Sequence, residues 1–336
     1  MGPVRRGALI AREAGRERTS REMTAPRCHE PSPGRTRIRA RPYPGVVPAQ
    51  TPDAPPRTVL LAAGVTVVLW ASAFIAIRGA IEHFSPGAMA LVRMAVGAAV
   101  LGLIVARPGL RVPGRRDLAL VAVWGIAWFC LYNLALNTAE RTVDAGTAAL
   151  LVNLAPLIVV LLAGVLLGEG LPRSLVIGAP VSFGGVALIA AAGERHATAG
   201  GVLLGVAAAF LYAGCTLLQK RLLERVDPAS LTFLGAVAGA LALLPWAPQL
   251  IAQAARAPLG ATLAVVYLGV FPTAIAFSTW AYVLRRMPAG QTAATTYAVP
   301  AVAIVLSWLL LGEAPTAVML VGGALCLLGV HLTRRR

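Results

Sequence analysis

Charged residues are missing from long stretches of this 336-residue chain. Nine runs have no charged residue: 58–77, 118–139, 145–168, 174–193, 197–219, 228–255, 257–284, 287–312 and 314–333. A tenth run, 86–106, carries one charge, Arg93. Because about 20 apolar residues in a helix cross the hydrocarbon core of a bilayer, and each run reaches this length, the pattern predicts an all-α polytopic membrane protein with ten transmembrane helices.

Composition separates the apolar runs from segment 1–57. Hydrophobic residues make up 57% of the chain and charged residues 13%, whereas a soluble protein is about a quarter charged. Segment 1–57 is instead rich in Arg and Pro and has no apolar run. Such a segment cannot bury enough apolar surface to fold, so a disordered cytoplasmic tail is predicted. Met23 is an alternative start, which leaves open whether residues 1–22 are translated.

The short loops predict the orientation. With the N-terminus inside, thirteen Lys and Arg residues lie in the inner loops and C-terminal end, against four in the outer loops. This asymmetry follows the positive-inside rule, so both termini are predicted to be cytoplasmic. The chain has a single lysine, Lys220, beside 29 arginines, a usage typical of a high-GC bacterial genome. The predicted location is therefore the bacterial inner membrane, and the net charge of +16 suits anionic lipid rather than nucleic acid.

The chain repeats itself. Aligning 141–178 with 285–322 places Arg141 on Arg285 and Pro156 on Pro300, and a shift two residues shorter aligns 70–78 with 212–220. The repeats are predicted to be five-helix units at 58–196 and 197–336, the second ending in a short basic C-terminus. Because five is odd, the second unit crosses the membrane upside down. Inverted repeats are typical of secondary transporters, which bind substrate near the midplane where the repeats meet.

The two prolines predict matching helix breaks. Pro156 and Pro300 each lie within a span, where proline removes a backbone hydrogen bond and clashes with the carbonyl four residues back. The residues before them are polar: Asn153 in the first copy, Thr296 and Tyr297 in the second. One interpretation is substrate contact by these three residues, and the alternative is a packing kink with side chains bonded to their own backbone.

Each of these spans ends in Gly-Glu. Gly168 and Gly312 are predicted to be left-handed helix caps, and Glu169 and Glu313 to begin the next span, where the helix N-terminus favours an acid. A proton-carrying role for either glutamate is the alternative.

Arg93 is the one charge inside a span, and it should face the bundle or water rather than lipid. The functional interpretation is an anchor for a substrate carboxylate. The alternative is an ion pair with Glu140 or Asp144 in the nearby outer loop, or contact with freed carbonyls.

Aromatic and amide side chains recur on the third span. Trp128 and Tyr132 lie one turn apart, and the neighbouring Asn133 needs a partner in hydrocarbon, so this face is predicted to point inward. Trp70 on the first span is predicted to complete a substrate cavity. For Trp280 an interfacial position is favoured over the cavity.

Missing residue types exclude other functions. The four cysteines are isolated, which argues against a disulfide framework or a metal site, and no cofactor is predicted. The predicted spans contain no Asp, no Glu and no mid-span His, so an intramembrane enzyme is disfavoured because it needs a paired nucleophile and base or a metal cluster. The chain is predicted not to be an enzyme.

The chain resembles the EamA-type transporters of the drug/metabolite transporter superfamily. The resemblance rests on "WASAFIAIR" (70–78), "AGTAALLVNLAPLIVVLLAGVLLGE" (145–169) and "PAGQTAATTYAVPAVAIVLSWLLLGE" (288–313). It implies export of small metabolites, often amino acids or drugs, through a central cavity that opens alternately to each side. The polar and aromatic lining favours neutral or zwitterionic metabolites over the alternative, multidrug or aromatic-cation efflux. The substrate, the coupling ion and the oligomeric state stay open, with a homodimer as one alternative.

Overall fold

The apolar runs form helices, as their length and composition require. The computed structural model describes residues 56–107, 109–143, 150–191, 198–312 and 314–334, so segment 1–55 of the predicted tail lies outside the described residues. The helices are α1 (Arg57–Ala80), α2 (Pro86–Ala106), α3 (Arg115–Ala139), α4 (Leu150–Leu166), α5 (Arg173–Ala191), α6 (Ala199–Leu222), α7 (Pro228–Ala242), α8 (Leu259–Arg286), α9 (Ala289–Leu310) and α10 (Ala317–Arg334). Within these ranges the fold is all-helical.

Seven of the helices are long and apolar enough to span a bilayer individually. The chain after α7 continues as Leu244–Ala254, bent by 49° from α7, and the pair together passes the same test. The α4 and α10 helices are shorter apolar helices. Each of the ten predicted runs therefore coincides with one helix of the described structure or, for 228–255, with a bent pair.

Local sequence explains where the helices begin and end. Ser85 and Asp227 cap α2 and α7 by accepting the backbone N–H groups of Ala88 (3.3 Å) and Ser230 (3.0 Å), and each cap is followed by a proline that needs no N–H partner. Gly168, with φ 67°, ends α4, and Gly312, with φ 71°, ends α9. The two predicted left-handed glycine caps are thus confirmed.

The repeat appears as a pseudo-two-fold axis between α5 and α10. Ser182 Oγ donates to the carbonyl of Cys326 (3.1 Å) and Cys326 Sγ donates to the carbonyl of Ser182 (3.5 Å), a reciprocal pair between equivalent positions of the two repeats. A Cβ at Gly178 would lie 2.7 Å from the carbonyl oxygen of Gly329, and a Cβ at Gly322 would lie 2.7 Å from that of Gly185. The two contacts are equivalent, because the repeat places Gly178 on Gly322 and Gly185 on Gly329. The equivalent helices α5 and α10 therefore pack against each other in opposite directions at this axis.

Hydrogen bonds between helix ends define the two sides of the bundle. On the near side, where α1 begins, they join Tyr282 to Thr58 (3.4 Å), Arg221 to Leu166 (2.9 Å) and Arg225 to Asp117 (3.4 Å). On the far side they join Ser85 to Gln253 (2.8 Å), Arg141 to Phe84 (2.9 Å) and Thr198 to Thr142 (3.2 Å). Because α1 begins on the near side and α6 on the far side, the second five helices are inverted relative to the first.

Both α3 and α8 are interrupted by a π-helical segment. The segments are Ile126–Tyr132 in α3 and Gly269–Ile275 in α8, which occupy corresponding places in the two repeats. A π segment widens the helix locally and is frequent at functional sites. The two segments lie at mid-span, so the fold places an irregular turn from each half in the middle of the bundle.

Candidate functional site

A cavity of about 610 Å³ lies between helices of both halves. Its wall includes residues from the middle of α1, α2, α3, α4, α6, α8 and α9. Nine of the ten site residues predicted from sequence line it: Trp70, Arg93, Trp128, Tyr132, Asn133, Asn153, Pro156, Thr296 and Pro300. The sequence pattern therefore predicted most of one continuous wall, although the role of these residues in substrate contact stays a prediction.

Arg93 is held in place by two polar side chains. Its Nε donates to the hydroxyl of Thr273 (2.8 Å), and one terminal nitrogen donates to the amide oxygen of Asn133 (3.4 Å). The amide nitrogen of Asn133 in turn donates to the carbonyls of Trp128 (3.1 Å) and Phe129 (3.3 Å) in the π segment of α3. Arg93 thus faces the cavity in a fixed orientation with donors left over, because a guanidinium has five N–H groups.

The ion-pair alternative for Arg93 finds no support among the residues that can be compared. Within the described ranges, which exclude Asp144, the guanidinium makes no ion pair with Glu140 or any other acid. The freed carbonyl alternative also fails for Thr296, since its carbonyl accepts the N–H of Val299 (2.9 Å). Contact of Arg93 with a substrate carboxylate stays a prediction.

Four aromatic side chains, which we call the aromatic floor, line the cavity at mid-bundle: Trp70, Trp128, Tyr212 and Phe277. The Phe277 ring lies 5.5 Å from both Trp70 and Trp128 in edge-to-face geometry, and Tyr212 lies 5.4 Å from Trp128. The indole N–H of Trp70 donates to the carbonyl of Pro272 (3.2 Å) in the π segment of α8. These contacts fix the rings and leave an apolar, π-rich surface beside Arg93.

Toward the far side the cavity reaches the helix ends. Arg78 at the end of α1, Glu140 directly after α3, and the 314–316 turn before α10 all belong to its wall. We call these residues the far-side mouth. The position of the mouth indicates that the cavity is continuous with the far side in this conformation.

No group of three or more His, Cys, Asp or Glu side chains that could hold a metal occurs in the described part of the chain. Cys130, Cys215 and Cys326 are separate and buried. The polar groups of the cavity instead comprise the guanidinium groups of Arg78 and Arg93, one carboxylate, amides and hydroxyls, which suit an organic solute.

Both halves of the chain match one known protein family. The model of the EamA-like transporter family matches the chain twice, over residues 57–191 and 199–335. This chain belongs to the EamA-like transporter family. It is a multi-pass membrane transporter.

Named relatives extend this comparison. A protein of Streptantibioticus cattleyicolor named a probable terminal-alkyne amino-acid exporter is 39% identical over 273 residues, which cover 81% of this chain and 91% of that protein. A protein of Salmonella typhimurium named a probable amino-acid metabolite efflux pump is 23% identical over 278 residues, which cover 79% and 91% of the two chains. A solved crystal structure matches with a TM-score of 0.69 and 23% identity over 82% of this chain and 97% of that one, which supports the fold alone.

In this EamA-like transporter the near side is closed by bonds to helix ends. The carboxylate of Glu169 accepts the N–H groups of Ala289 (2.6 Å) and Gly290 (3.1 Å) at the start of α9. The ammonium group of Lys220 donates to the carbonyls of Leu284 (2.7 Å) and Met287 (2.6 Å) at the end of α8. We call these four bonds the near-side closure. The bonds of Glu169 join the α4–α5 turn of the first half to the second half.

Two predictions about aromatic residues need correction. Tyr297 does not line the cavity: its ring is fully buried, and its hydroxyl donates to the carbonyl of Asn153 (3.1 Å), its equivalent in the first repeat. Trp280 is not interfacial but buried, with its indole N–H donating to Gln219 (2.9 Å). Both predictions are wrong because the sequence indicates the helix face on which an aromatic side chain lies, but not which other helices pack against that face.

The sequence interpretation missed three residues of the site in this EamA-like transporter: Tyr212 and Phe277, which line the cavity, and Thr273, which holds Arg93 from behind the wall. The repeat held a usable signal for two of them. Alignment of the two halves places Trp70 on Tyr212 and Asn133 on Phe277. Thr273 gave no such signal, because its contact with Arg93 depends on the π segment of α8.

Proposed function

We propose that this transporter exports small amino-acid-like metabolites from the bacterial cytoplasm, without altering them chemically. The observation that carries the proposal is Arg93: a guanidinium oriented by Thr273 and Asn133 in a cavity otherwise dominated by apolar and aromatic groups. A charge is expensive at this depth, so a ligand carboxylate is its natural partner. The names of the two relatives, an amino-acid exporter and an amino-acid metabolite efflux pump, support the same substrate class.

The proposed orientation places the near side in the cytoplasm of the bacterial cell and the far side outside. The excess of Lys and Arg in the near-side loops supports it through the positive-inside rule. Under this proposal both termini are cytoplasmic, the repeats occupy 58–196 and 197–336, and the structure represents the state open to the outside.

A second candidate function is efflux of aromatic cations. The aromatic floor favours it, because the faces of Trp and Tyr rings attract cations. The two candidates differ in Arg93, which attracts a carboxylate and repels a cation.

Efflux measurements can separate the candidates. The medium of cells that overexpress the transporter should accumulate carboxylated, amino-acid-like compounds relative to cells carrying an empty vector, as measured by untargeted mass spectrometry. Proteoliposomes loaded with a neutral amino acid should release it faster than protein-free liposomes. Accumulation and release of aromatic cations with no effect on amino acids would refute the proposal and favour the second candidate.

A further inference from the structure

Glu140 is the acidic member of the far-side mouth. It follows α3 directly, and its backbone N–H still donates to the carbonyl of Leu136 (2.9 Å). The next residue, Arg141, donates to the carbonyls of Ile81 (3.2 Å) and Phe84 (2.9 Å) in the α1–α2 turn. These bonds fix the end of α3 against the neighbouring turn, so Glu140 is positioned by the fold on the cavity wall.

The carboxylate of Glu140 and the guanidinium of Arg93 face one cavity without forming an ion pair. Burial raises the pKa of the Glu140 carboxyl to about 7, and the positive charge of Arg93 partly opposes this shift. The other titratable or charged groups on the described wall are Arg78 of α1, Tyr132 of α3 and Tyr212 of α6. Arg93 is bound to Thr273 and Asn133 instead, and both opposite charges lie on the wall of one cavity.

An α-amino acid carries a carboxylate and an ammonium group, so each of its charges has a group of opposite charge on the cavity wall. We propose that Glu140 binds the ammonium group of the substrate while Arg93 binds its carboxylate. The inference rests on the proposed function and narrows it from amino-acid-like compounds to free α-amino acids, which carry an unblocked amino group.

The aromatic floor indicates which amino-acid side chains the cavity favours. Trp70 and Phe277 line the same cavity as the two charges, and the four rings of the floor carry no charge themselves. An apolar or unsaturated side chain gains free energy there by leaving water, whereas a charged side chain has no partner and is penalised. The preferred substrates are therefore neutral α-amino acids with apolar side chains.

Binding to the purified protein tests the ammonium site independently of any coupling ion. The probes are phenylalanine and propargylglycine, each as the free amino acid and as the N-acetyl derivative, which keeps the carboxylate but lacks the ammonium charge. Wild-type protein should bind the free form more tightly by at least about tenfold, the size of one hydrogen bond to a charged group. Glu140→Gln should lose this preference while binding the N-acetyl form unchanged.

Matched variants identify which proposal fails if one does. Glu82→Gln alters an exposed acid of the far-side α1–α2 turn and should bind like wild type, and Glu140→Asp should keep part of the preference. Size-exclusion profiles check that each variant is folded.

The outcomes separate the two proposals. If Glu140→Gln keeps the preference for the free form while Arg93→Gln loses binding of both the free and the N-acetyl form, the ammonium site is refuted and the proposed function stands. If neither variant changes binding, both proposals fail. If Glu140→Gln alters only the proton dependence of transport, Glu140 is a proton carrier and the inference is overturned.

Discussion

The two ends of the cavity differ in how their charges are used. At the near side, Glu169 and Lys220 are bonded to helix ends. At the far side, Glu140 lines the open mouth, and Arg93 below it is bonded to neutral side chains only, within the described residues. Charges that bond to the backbone close one end of the transporter, and charges that face the cavity are available to a solute at the other. Under the proposed function, the structure is one state of a two-state cycle in which closure and binding use separate residues.

Of the changes considered, loss of the charge at Arg93 should have the largest effect on substrate binding and transport. Arg93→Gln should reduce binding and transport of carboxylated substrates by about 100-fold, because a charged hydrogen-bonding partner contributes about 1.5–3 kcal/mol and desolvation of the unpaired carboxylate adds to the loss. The loss of transport is measured as uptake into or release from proteoliposomes, with the methyl ester of the same amino acid as a control substrate. An equal loss for the ester, together with a lower melting temperature, would instead mean that Arg93 is a structural strut.

A smaller effect is expected from breaking the near-side closure. Glu169→Ala removes the acceptor of two N–H groups at the start of α9, which is worth about 1–2 kcal/mol at a helix N-terminus. The far-open state should lose population by roughly 5- to 30-fold relative to the alternative state. Labelling of Ser307→Cys, a position on the far-side wall, by an impermeant maleimide should slow accordingly.

The matched control for the closure is Glu224→Ala, which removes an exposed acid on the same side. It should label at the rate of the parent protein. Equal labelling rates in the Glu169 variant and the control would show that the bonds of Glu169 do not hold the near side closed.

Glu140→Gln should change the pH dependence of stability, with a smaller effect than that expected for Glu169→Ala. Since the pKa of Glu140 in the folded protein is raised from 4.5 to about 7, the folded state favours the protonated carboxyl. Its contribution to stability is therefore present at low pH and is lost as the pH rises through about 7. The melting temperature in detergent should fall by a few degrees between pH 5 and pH 8, and the fall should be smaller in Glu140→Gln. Identical profiles would contradict the raised pKa of this carboxyl.

The weakest effect concerns the residue that lies behind the wall. Tyr297→Phe removes the hydrogen bond to the carbonyl of Asn153 and should cost about 1 kcal/mol of stability. Substrate preference should not change, because the ring does not line the cavity. A change in relative transport of different amino acids, at unchanged melting temperature, would place Tyr297 in contact with substrate after all.

The sequence predicted the fold well because lipid imposes simple rules. Apolar length indicated the ten helices, the internal repeat indicated the inversion, and Gly168 and Gly312 indicated the left-handed caps. The site was predicted less completely. Breaks at Asn153 and Thr296 follow from proline chemistry, but the contact of Thr273 with Arg93 arises from a π segment in α8 that no hydropathy pattern reveals.

The sequence predicted one feature of the near-side closure, an acid bound to a helix N-terminus, but not which helix it binds. The sequence interpretation placed Glu169 after a glycine cap and favoured an acid at the start of the next helix, α5. The structure shows the carboxylate at the start of a different helix, α9, in the other half of the chain. Local capping rules predicted the kind of partner, a helix N-terminus, but the choice of helix depends on tertiary packing.

Substrate protection can test whether Arg93 anchors a carboxylated solute in a cavity open to the far side. Native Cys130, Cys215 and Cys326 are buried, and with Cys28 replaced by Ser, Ser307→Cys provides a single reporter on the wall for an impermeant maleimide added outside intact cells. We expect labelling in the resting protein, strong protection by a neutral free amino acid, and loss of that protection in Arg93→Gln. Absence of labelling from outside, or equal protection with and without Arg93, would contradict this assignment.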